Sequence, residues 1–274
     1  MESKSYTNSF AVIYDDVMER VPYYYWYKYL KHLLSFYEKD PDKILELACG
    51  TGNMIKYFVD EAELIYGLDK SNDMLAVAQN KFIDYNNVDF FNTDMTQKYE
   101  YDEFDFIYSI FDSLNYILEY EDLVSVFENA YLNLKQDGIF IFDMNTIYRL
   151  MDIGEGTKKI EGKDYTCYWR DIIEREEQKW VVELDIYFDR DQEIENFSEK
   201  HVETSYSLNK IKEGLLEVGF KHVDIYNSFT FRTGKPQNDR IHFVALKDKP
   251  QVNKFKRFLL KTKWNLISPF LSIF

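Results

Sequence analysis

The sequence predicts an α/β fold: a parallel sheet with helices on both faces, interrupted once by an antiparallel β insert. Three observations carry this reading. From about residue 43 to 143, short apolar runs alternate with stretches of helical periodicity. The first run, Ile44-Leu45-Glu46-Leu47-Ala48, leads straight into the glycine turn Cys49-Gly50-Thr51-Gly52-Asn53. From about 151 to 207 the helical periodicity lapses and apolar and polar residues alternate, as in half-buried strands.

Residues 8–39 open the chain with an aromatic helical pattern: Phe10, Tyr14 and Val17, then Tyr23, Tyr24, Trp26, Tyr27, Leu30, Leu33 and Leu34. Pro22 divides it into two helices by fixing its own φ and restricting Val21. The order that follows is strand 43–48, helix from about 52, strand 63–69, helix 71–85 capped by Ser71, and strand 87–92. A strand at 104–110, a helix from about 121 to 134 and a strand at 139–143 complete the parallel part. The insert holds three extended segments, 165–173, 179–188 and 197–207, with Trp180, Val182, Leu184, Ile186 and Phe188 on one face. Acidic turns, Glu174-Arg175-Glu176-Glu177 and Asp189-Arg190-Asp191, separate them. A helix at 208–218, stopped by Gly219, and strands at 222–230 and 240–247 return to the core. The expected organisation is a core of 1–150 and 208–248, an inserted flap of 151–207 and a tail of 249–274.

The tail carries no acid; Phe255, Phe258, Leu259, Thr262 and Leu266 fall on one helical face, and Lys254, Arg257 and Lys261 on another. A basic amphipathic helix can lie on anionic lipid. Pro269 and the short length favour packing on its own domain or on a dimer mate instead.

The 274 residues suit one large domain with an inserted piece, and 23 Tyr and 22 Phe supply a sizeable core. The net charge of -15 argues against a nucleic-acid partner and suits a cationic ligand. Cys49 and Cys167 form neither a disulfide framework nor a zinc site, and no metal-ligand spacing occurs. Residues 1–8 are polar with no apolar signal segment after them, and no run approaches the ~18 apolar residues a span needs. A cytoplasmic location is expected.

Gly50 and Gly52 have no Cβ, so a ligand can lie against bare backbone there. A carboxylate follows nineteen positions after Gly50, at Asp69, ending the apolar run Leu64-Ile65-Tyr66-Gly67-Leu68. That is the distance at which a nucleotide-binding βαβ unit sets an acid on ribose hydroxyls. Ile55 stands where a dinucleotide site needs its third glycine, and no Lys-Ser or Lys-Thr pair makes a P-loop. A phosphate-free adenosine ligand remains, and S-adenosylmethionine fits. An ordinary glycine turn is the alternative. Asn92-Thr93-Asp94-Met95 sets a further carboxylate at a strand end, or a turn cap. The next strand runs into Tyr108-Ser109-Ile110-Phe111-Asp112-Ser113-Leu114-Asn115-Tyr116, where Asp112 and Asn115 could cap a helix.

Together these motifs resemble the class I S-adenosylmethionine-dependent methyltransferases, in particular small bacterial members with Glu-Leu-Ala-Cys-Gly-Thr-Gly-Asn, here residues 46–53. The resemblance extends to a subgroup similar to amino-sugar N-methyltransferases. It is carried by Tyr14-Asp15, Val21-Pro22-Tyr23-Tyr24-Tyr25-Trp26, Phe111-Asp112-Ser113-Leu114-Asn115-Tyr116 and Arg240-Ile241-His242-Phe243-Val244, and covers roughly residues 5–247. It implies a Rossmann-like, seven-stranded, mostly parallel sheet with an N-terminal helical lid and an inserted antiparallel β-flap. S-adenosyl-L-methionine is the implied cofactor, held by Glu46, Ala48, Gly50, Gly52, Asn53, Asp69, Lys70, Asp94, Met95, Ser109, Ile110 and Phe111. In that scheme Asp69 binds the ribose, Asp94 and the Met95 amide read the adenine, and Ser109, Ile110 and Phe111 face the methionine end. Tyr14 caps the cofactor or orients the acceptor, unless it merely packs.

Methyl transfer needs alignment more than a catalytic triad, and a base only where the acceptor loses a proton. His201 is the candidate base: Glu199, His201, Glu203 and Ser205 share one strand face, which otherwise is solvated. His32, His222 and His242 read as structural. The expected activity is methyl transfer to nitrogen or oxygen of a small-molecule acceptor. The rivals are an RNA or protein methyltransferase and a non-catalytic S-adenosylmethionine-binding partner subunit.

Overall fold

The computed structural model describes residues 8–101, 103–190, 193–251 and 253–271. Residues 1–7 and Asp191 of the second acidic turn lie outside them. Two helices, α1 (Asn8–Val17) and α2 (Tyr23–Phe36), precede the first sheet and meet at Pro22. The sheet is built from β1 (Lys43–Leu47), β2 (Leu64–Asp69), β3 (Val88–Asn92), β4 (Phe104–Ser109), β5 (Leu134–Asn145), β10 (His222–Asn227) and β11 (Arg240–Leu246). Its order is β10-β11-β5-β4-β1-β2-β3, with only β11 running against its neighbours. The seven-stranded, mostly parallel α/β architecture is therefore as expected.

Alternation along the strands separates two cores. Ile44, Phe106, Tyr108, Ile139 and Ile141 face α2, while Leu45, Leu47, Ile107, Phe140 and Phe142 face the opposite layer. That layer is α4 (Tyr120–Asn133) and α6 (Leu208–Val218), supplying Val126, Phe127, Ile211 and Leu215. α3 (Asn72–Lys81) is capped by Ser71, whose hydroxyl accepts from the Met74 N–H at 3.2 Å. It stops at Lys81 rather than 85 because Phe82 turns inward against Phe90.

The helix expected from residue 52 is only a 3-10 turn, Ile55–Tyr57. Met54, Ile55, Phe58 and Val59 are all buried, as one helical face would be, but β2 begins at Leu64 and leaves no room for further turns. Ser207 caps α6 and Gly219, at φ +129, ends it.

The insert forms a second sheet of four antiparallel strands, not three: β6 (Gly156–Glu161), β7 (Tyr165–Glu174), β8 (Lys179–Arg190) and β9 (Glu193–Glu203). β6 left no apolar alternation because nearly all of it is exposed. A short α5 (Ile147–Asp152), capped by Thr146, leads into it. Val182, Leu184, Ile186 and Phe188 pack with Cys167 against Phe10 and Ile13 of α1. Asn115 does not cap a helix; its side chain donates to the carbonyls of Asn145 (3.1 Å) and Thr204 (2.6 Å), tying the second sheet to the first. Asp112 makes no capping bond either.

α7 (Lys254–Leu271) packs on α2 through Trp264, which is buried with its indole N–H donating to the Phe229 carbonyl at 2.7 Å. The face expected to pack does not: Phe255, Phe258, Leu259 and Leu266 point outward. One Trp outweighs four smaller apolar groups because its indole fits between Tyr25, Tyr29 and His32. No helix among the described residues is long and apolar enough to cross a membrane.

Arg240 holds the β4–α4 loop against the sheet. Its guanidinium bonds Asp143, lies 3.2 Å from Asp112 and rests against the Trp26 ring. Burial raises the Asp143 carboxyl to about 6 although Arg240 opposes the shift. The folded chain thus binds this proton more tightly than the unfolded chain, where a carboxyl titrates near ~3.9. The stability from Asp143 is complete below that value and is lost as pH rises through 6. Removing Arg240 widens the window. Arg240→Leu should cost little near pH 4 and about 3 kcal/mol near pH 8 in urea unfolding. A pH-independent loss would place the effect in Trp26 packing instead.

Candidate active site

A cavity of about 350 Å³ opens over the C-terminal ends of β1, β2, β3 and β4. β1 is flanked by β4 on one side and β2 on the other, so the cavity sits where chain connections diverge, the usual ligand crevice of an open α/β sheet. Its floor is the turn after β1. Ala48, Gly50 and Gly52 there have φ of +54°, +54° and +76°. A Cβ built on Gly50 would meet no protein atom within 4 Å, leaving bare backbone toward the cavity. One built on Gly52 would come within 2.8 Å of the Phe82 ring. Gly50 therefore leaves open space on the cavity side, and Gly52, which does not line the cavity, is closed in by Phe82.

Asp69 ends β2 on the cavity wall. Its Oδ2 accepts the Gly50 N–H and its Oδ1 the Ser71 N–H, both at 2.8 Å. Burial raises its pKa against those two bonds, which favour the charge. Each oxygen keeps a further lone pair for a ligand hydroxyl. Asp94, beyond β3, also lines the cavity, while its Oδ1 accepts the Thr96 N–H (2.9 Å) and hydroxyl (2.7 Å). It is both turn cap and wall. Asn129 clamps the neighbouring loop through the Met95 and Gln97 carbonyls. Glu46 is buried, accepts the Tyr108 hydroxyl at 2.9 Å, and is held by burial well above the ordinary carboxyl range.

The roof comes from α1 and α2. Asp15 pins it to the glycine turn, accepting from Thr51 (2.6 Å) and Asn53 (2.9 Å) and pairing with Lys81 at 2.5 Å. Burial raises the Asp15 pKa, but these three partners outweigh it and leave the carboxyl below its usual value. Tyr14 and Tyr23 line the cavity; Asn53 donates to Tyr23 at 3.2 Å, and burial pushes that phenol to about 12. On the far side Phe111 and Asp112 take φ of +60° and +54°, turning the chain sharply after Ile110.

The structure brings Tyr14, Glu46, Ala48, Gly50, Asn53, Asp69, Lys70, Asp94, Met95, Ile110 and Phe111 to one cavity. Ser109 is not on its wall; its hydroxyl donates to the Leu47 carbonyl beneath it. His201 is not on the wall either. It stands one ring behind, 5.9 Å edge-on from the Tyr116 ring that lines the cavity and 5.6 Å from Phe10. Its Nε2 is 3.3 Å from Glu199. The solvated-strand alternative fails: Glu199, His201, Glu203 and Ser205 are all buried. Sequence reasoning missed Asp15, Tyr23, Thr51 and Tyr116, although all four lie inside the motifs that carry the resemblance. Among the lining residues Glu46, Asp69, Asp94, Glu119 and Asp122 are acids and Lys70 is the one base. Bare backbone at Gly50 and carboxyls at two strand ends, under phenol rings, fit S-adenosylmethionine.

A methyltransferase-domain family profile matches residues 44–138. "Putative methyltransferase GWCH70_2453" of Geobacillus sp. (strain WCH70) is 32% identical over 248 residues, covering 87% of this chain and 98% of that protein. The crystal structure of an S-adenosylmethionine-dependent methyltransferase from Clostridium acetobutylicum ATCC 824 is 25% identical. It superposes with a TM-score of 0.75 over 88% of this chain and 99% of that one. The sugar N-methyltransferase KedS8 from Streptoalloteichus sp ATCC 53650, 16% identical, shares the fold with a TM-score of 0.73 over 91% and 96%.

Asp69→Ala should weaken S-adenosylhomocysteine binding by about 1–3 kcal/mol in calorimetry. Unchanged affinity would remove Asp69 from the ligand contacts. Gly50→Val should abolish the binding heat, whereas retained binding would show that the ligand keeps clear of the turn.

Proposed function

Because this chain belongs to the class I S-adenosylmethionine-dependent methyltransferases, we propose that it methylates a small-molecule acceptor at nitrogen or oxygen, an amine nitrogen being favoured. One observation carries the choice: five carboxyl residues and one ammonium line a cavity together with Tyr14, Tyr23 and Tyr116. Such a lining repels phosphates and attracts a cation or an amine. KedS8, which shares the fold, is a sugar N-methyltransferase, and this supports the amine reading. The same lining disfavours RNA as acceptor.

When bound, S-adenosylmethionine supplies a methyl group activated by its sulfonium. The protein's residues do the rest. Asp69 would hold the ribose hydroxyls at the end of β2, Asp94 and the Met95 backbone would hold the adenine, and Ile110 and Phe111 would face the methionine end. Tyr14 and Tyr23, pinned through Asp15, keep water out of the line of attack. The acceptor nitrogen attacks with its lone pair and must shed one proton, for which the Glu119 and Asp122 carboxylates at the wall are available. His201 does not touch this space, so its role is positioning: with Glu199 it fixes the Tyr116 ring against the acceptor.

Purified chain supplied with S-adenosylmethionine and a panel of sugar amines and small hydroxy acids should release S-adenosylhomocysteine with an amine. Labelled methyl found in RNA or protein instead, or no release above the acceptor-free rate, would overturn the assignment. His201→Ala should lower kcat about tenfold with cofactor affinity unchanged, and His201→Phe should restore most of it by ring packing. Equal loss in both variants would mean that His201 acts as a base and not through Tyr116.

A further inference from the structure

α7 has two opposed apolar faces, and only one is used. On the inner face Trp264 and Leu260 pack against α2, with Trp264 6.0 Å from and nearly parallel to Tyr25 and Arg257 over the Phe36 ring at 4.3 Å. On the outer face Phe255 is 69% exposed, Phe258 64%, Leu259 50% and Leu266 68%. At about 100° per residue these four, with Thr262, form a single stripe opposite Trp264. Lys254 and Lys261 border the stripe on one side, Lys256 and Lys263 on the other.

The charge of the chain is split the same way. Residues 249–274 hold six basic residues and no acid, so the net -15 comprises +6 on this stretch and -21 on the remainder. A patch of exposed Phe and Leu bordered by lysines is the arrangement of a helix lying in a headgroup layer, where apolar groups enter the acyl boundary and ammonium groups meet phosphates. We propose that α7 docks this protein, lying flat, on an anionic phospholipid surface. The acidic remainder is repelled by such a surface, which limits the contact to α7 and sets the orientation. A second copy fits less well. Pairing two stripes about a twofold axis would oppose lysine borders of the same sign. Of those lysines Lys256 has an acidic neighbour, Glu38 at 3.7 Å.

The test is co-sedimentation of the full chain with phosphatidylcholine vesicles, with and without about one-third phosphatidylglycerol. Binding should require phosphatidylglycerol and fall steeply with added salt. Each of Lys254→Gln and Lys263→Gln should weaken it about fivefold. The double variant Phe255→Ser/Phe258→Ser should weaken it more than tenfold. Because these side chains point outward, the melting temperature and methyl transfer should be unchanged. Absence of phosphatidylglycerol-dependent binding, or binding indifferent to the two Phe substitutions, overturns the proposal. So does a lipid-free dimer that Phe255→Ser/Phe258→Ser dissociates, which would make the stripe a subunit interface.

Discussion

The carboxylate of Asp69 is the point on which the site's geometry depends. One oxygen takes the Gly50 N–H from the turn after β1, and the other takes the Ser71 N–H where α3 begins. Two crossover segments are thus drawn to one residue at the sheet edge. The bond to Asp69 fixes Gly50 at positive φ, since its N–H would otherwise have no fixed acceptor. Asn92 completes the arrangement from β3 by donating to the Asp69 and Lys70 carbonyls. Burying a carboxylate is costly, and the raised pKa records it. The return is a wall whose remaining lone pairs and bare backbone are aimed before any ligand arrives, so binding does not have to organise them.

The lid is fastened to that same turn. Asp15 bonds Thr51 and Asn53 on either side of Gly52 and pairs with Lys81 of α3, so α1 and the glycine turn are one polar unit. α2 is anchored differently, by Trp26, Tyr29, Leu33 and Leu34 in the core and by Trp264 of α7. Pro22 between them lacks an N–H, so no continuous hydrogen-bond ladder joins the two helices. Opening the roof at α1 therefore breaks the Asp15 bonds and the Phe10 contacts with the second sheet while leaving the α2 core intact.

What could be read from the sequence follows from how each feature is encoded. Apolar runs such as Ile44-Leu45-Glu46-Leu47 and Ile139-Phe140-Ile141-Phe142 marked strands buried on both faces, and their alternation with helices dictated the parallel order. Ser71, Ser207 and Gly219 marked helix ends because a cap needs its residue at one position. The 3-10 turn at Ile55–Tyr57 was illegible: Met54, Ile55, Phe58 and Val59 satisfy a helical pattern, and only the short path to β2 shows that they cannot continue it. β6 was illegible for the opposite reason, having almost no buried side chain. At the site, Gly50, Asp69 and Asp94 stood out because backbone approach and strand-end carboxylates leave local signatures. Tyr116 and Asp15 did not, since their importance depends on contacts 36 or more residues away, such as Thr51 with Asp15.

The buried polar face of β9 marks the limit of pattern reading. Alternation places Glu199, His201, Glu203 and Ser205 on one side but is silent on whether water or protein lies there. Water is the cheaper partner for three ionisable groups, so the pattern alone favours exposure. Protein lies there instead, because these residues share a sheet face with the apolar stripe of β8: Glu199 pairs with Leu184, His201 with Val182 and Glu203 with Trp180. Val182, Leu184 and Ile186 of β8 need α1, and Thr204 is drawn to Asn115 beside the β4–α4 loop. That face is held under α1, and the polar side chains of β9 are carried in with it, His201 between Phe10 and Tyr116. Burial raises the Glu203 carboxyl well above its ordinary range, next to Asp112 and the Arg240 cation. Such groups cost stability where a simpler apolar strand would serve packing better, and here they stand behind Tyr116 rather than on the cavity wall.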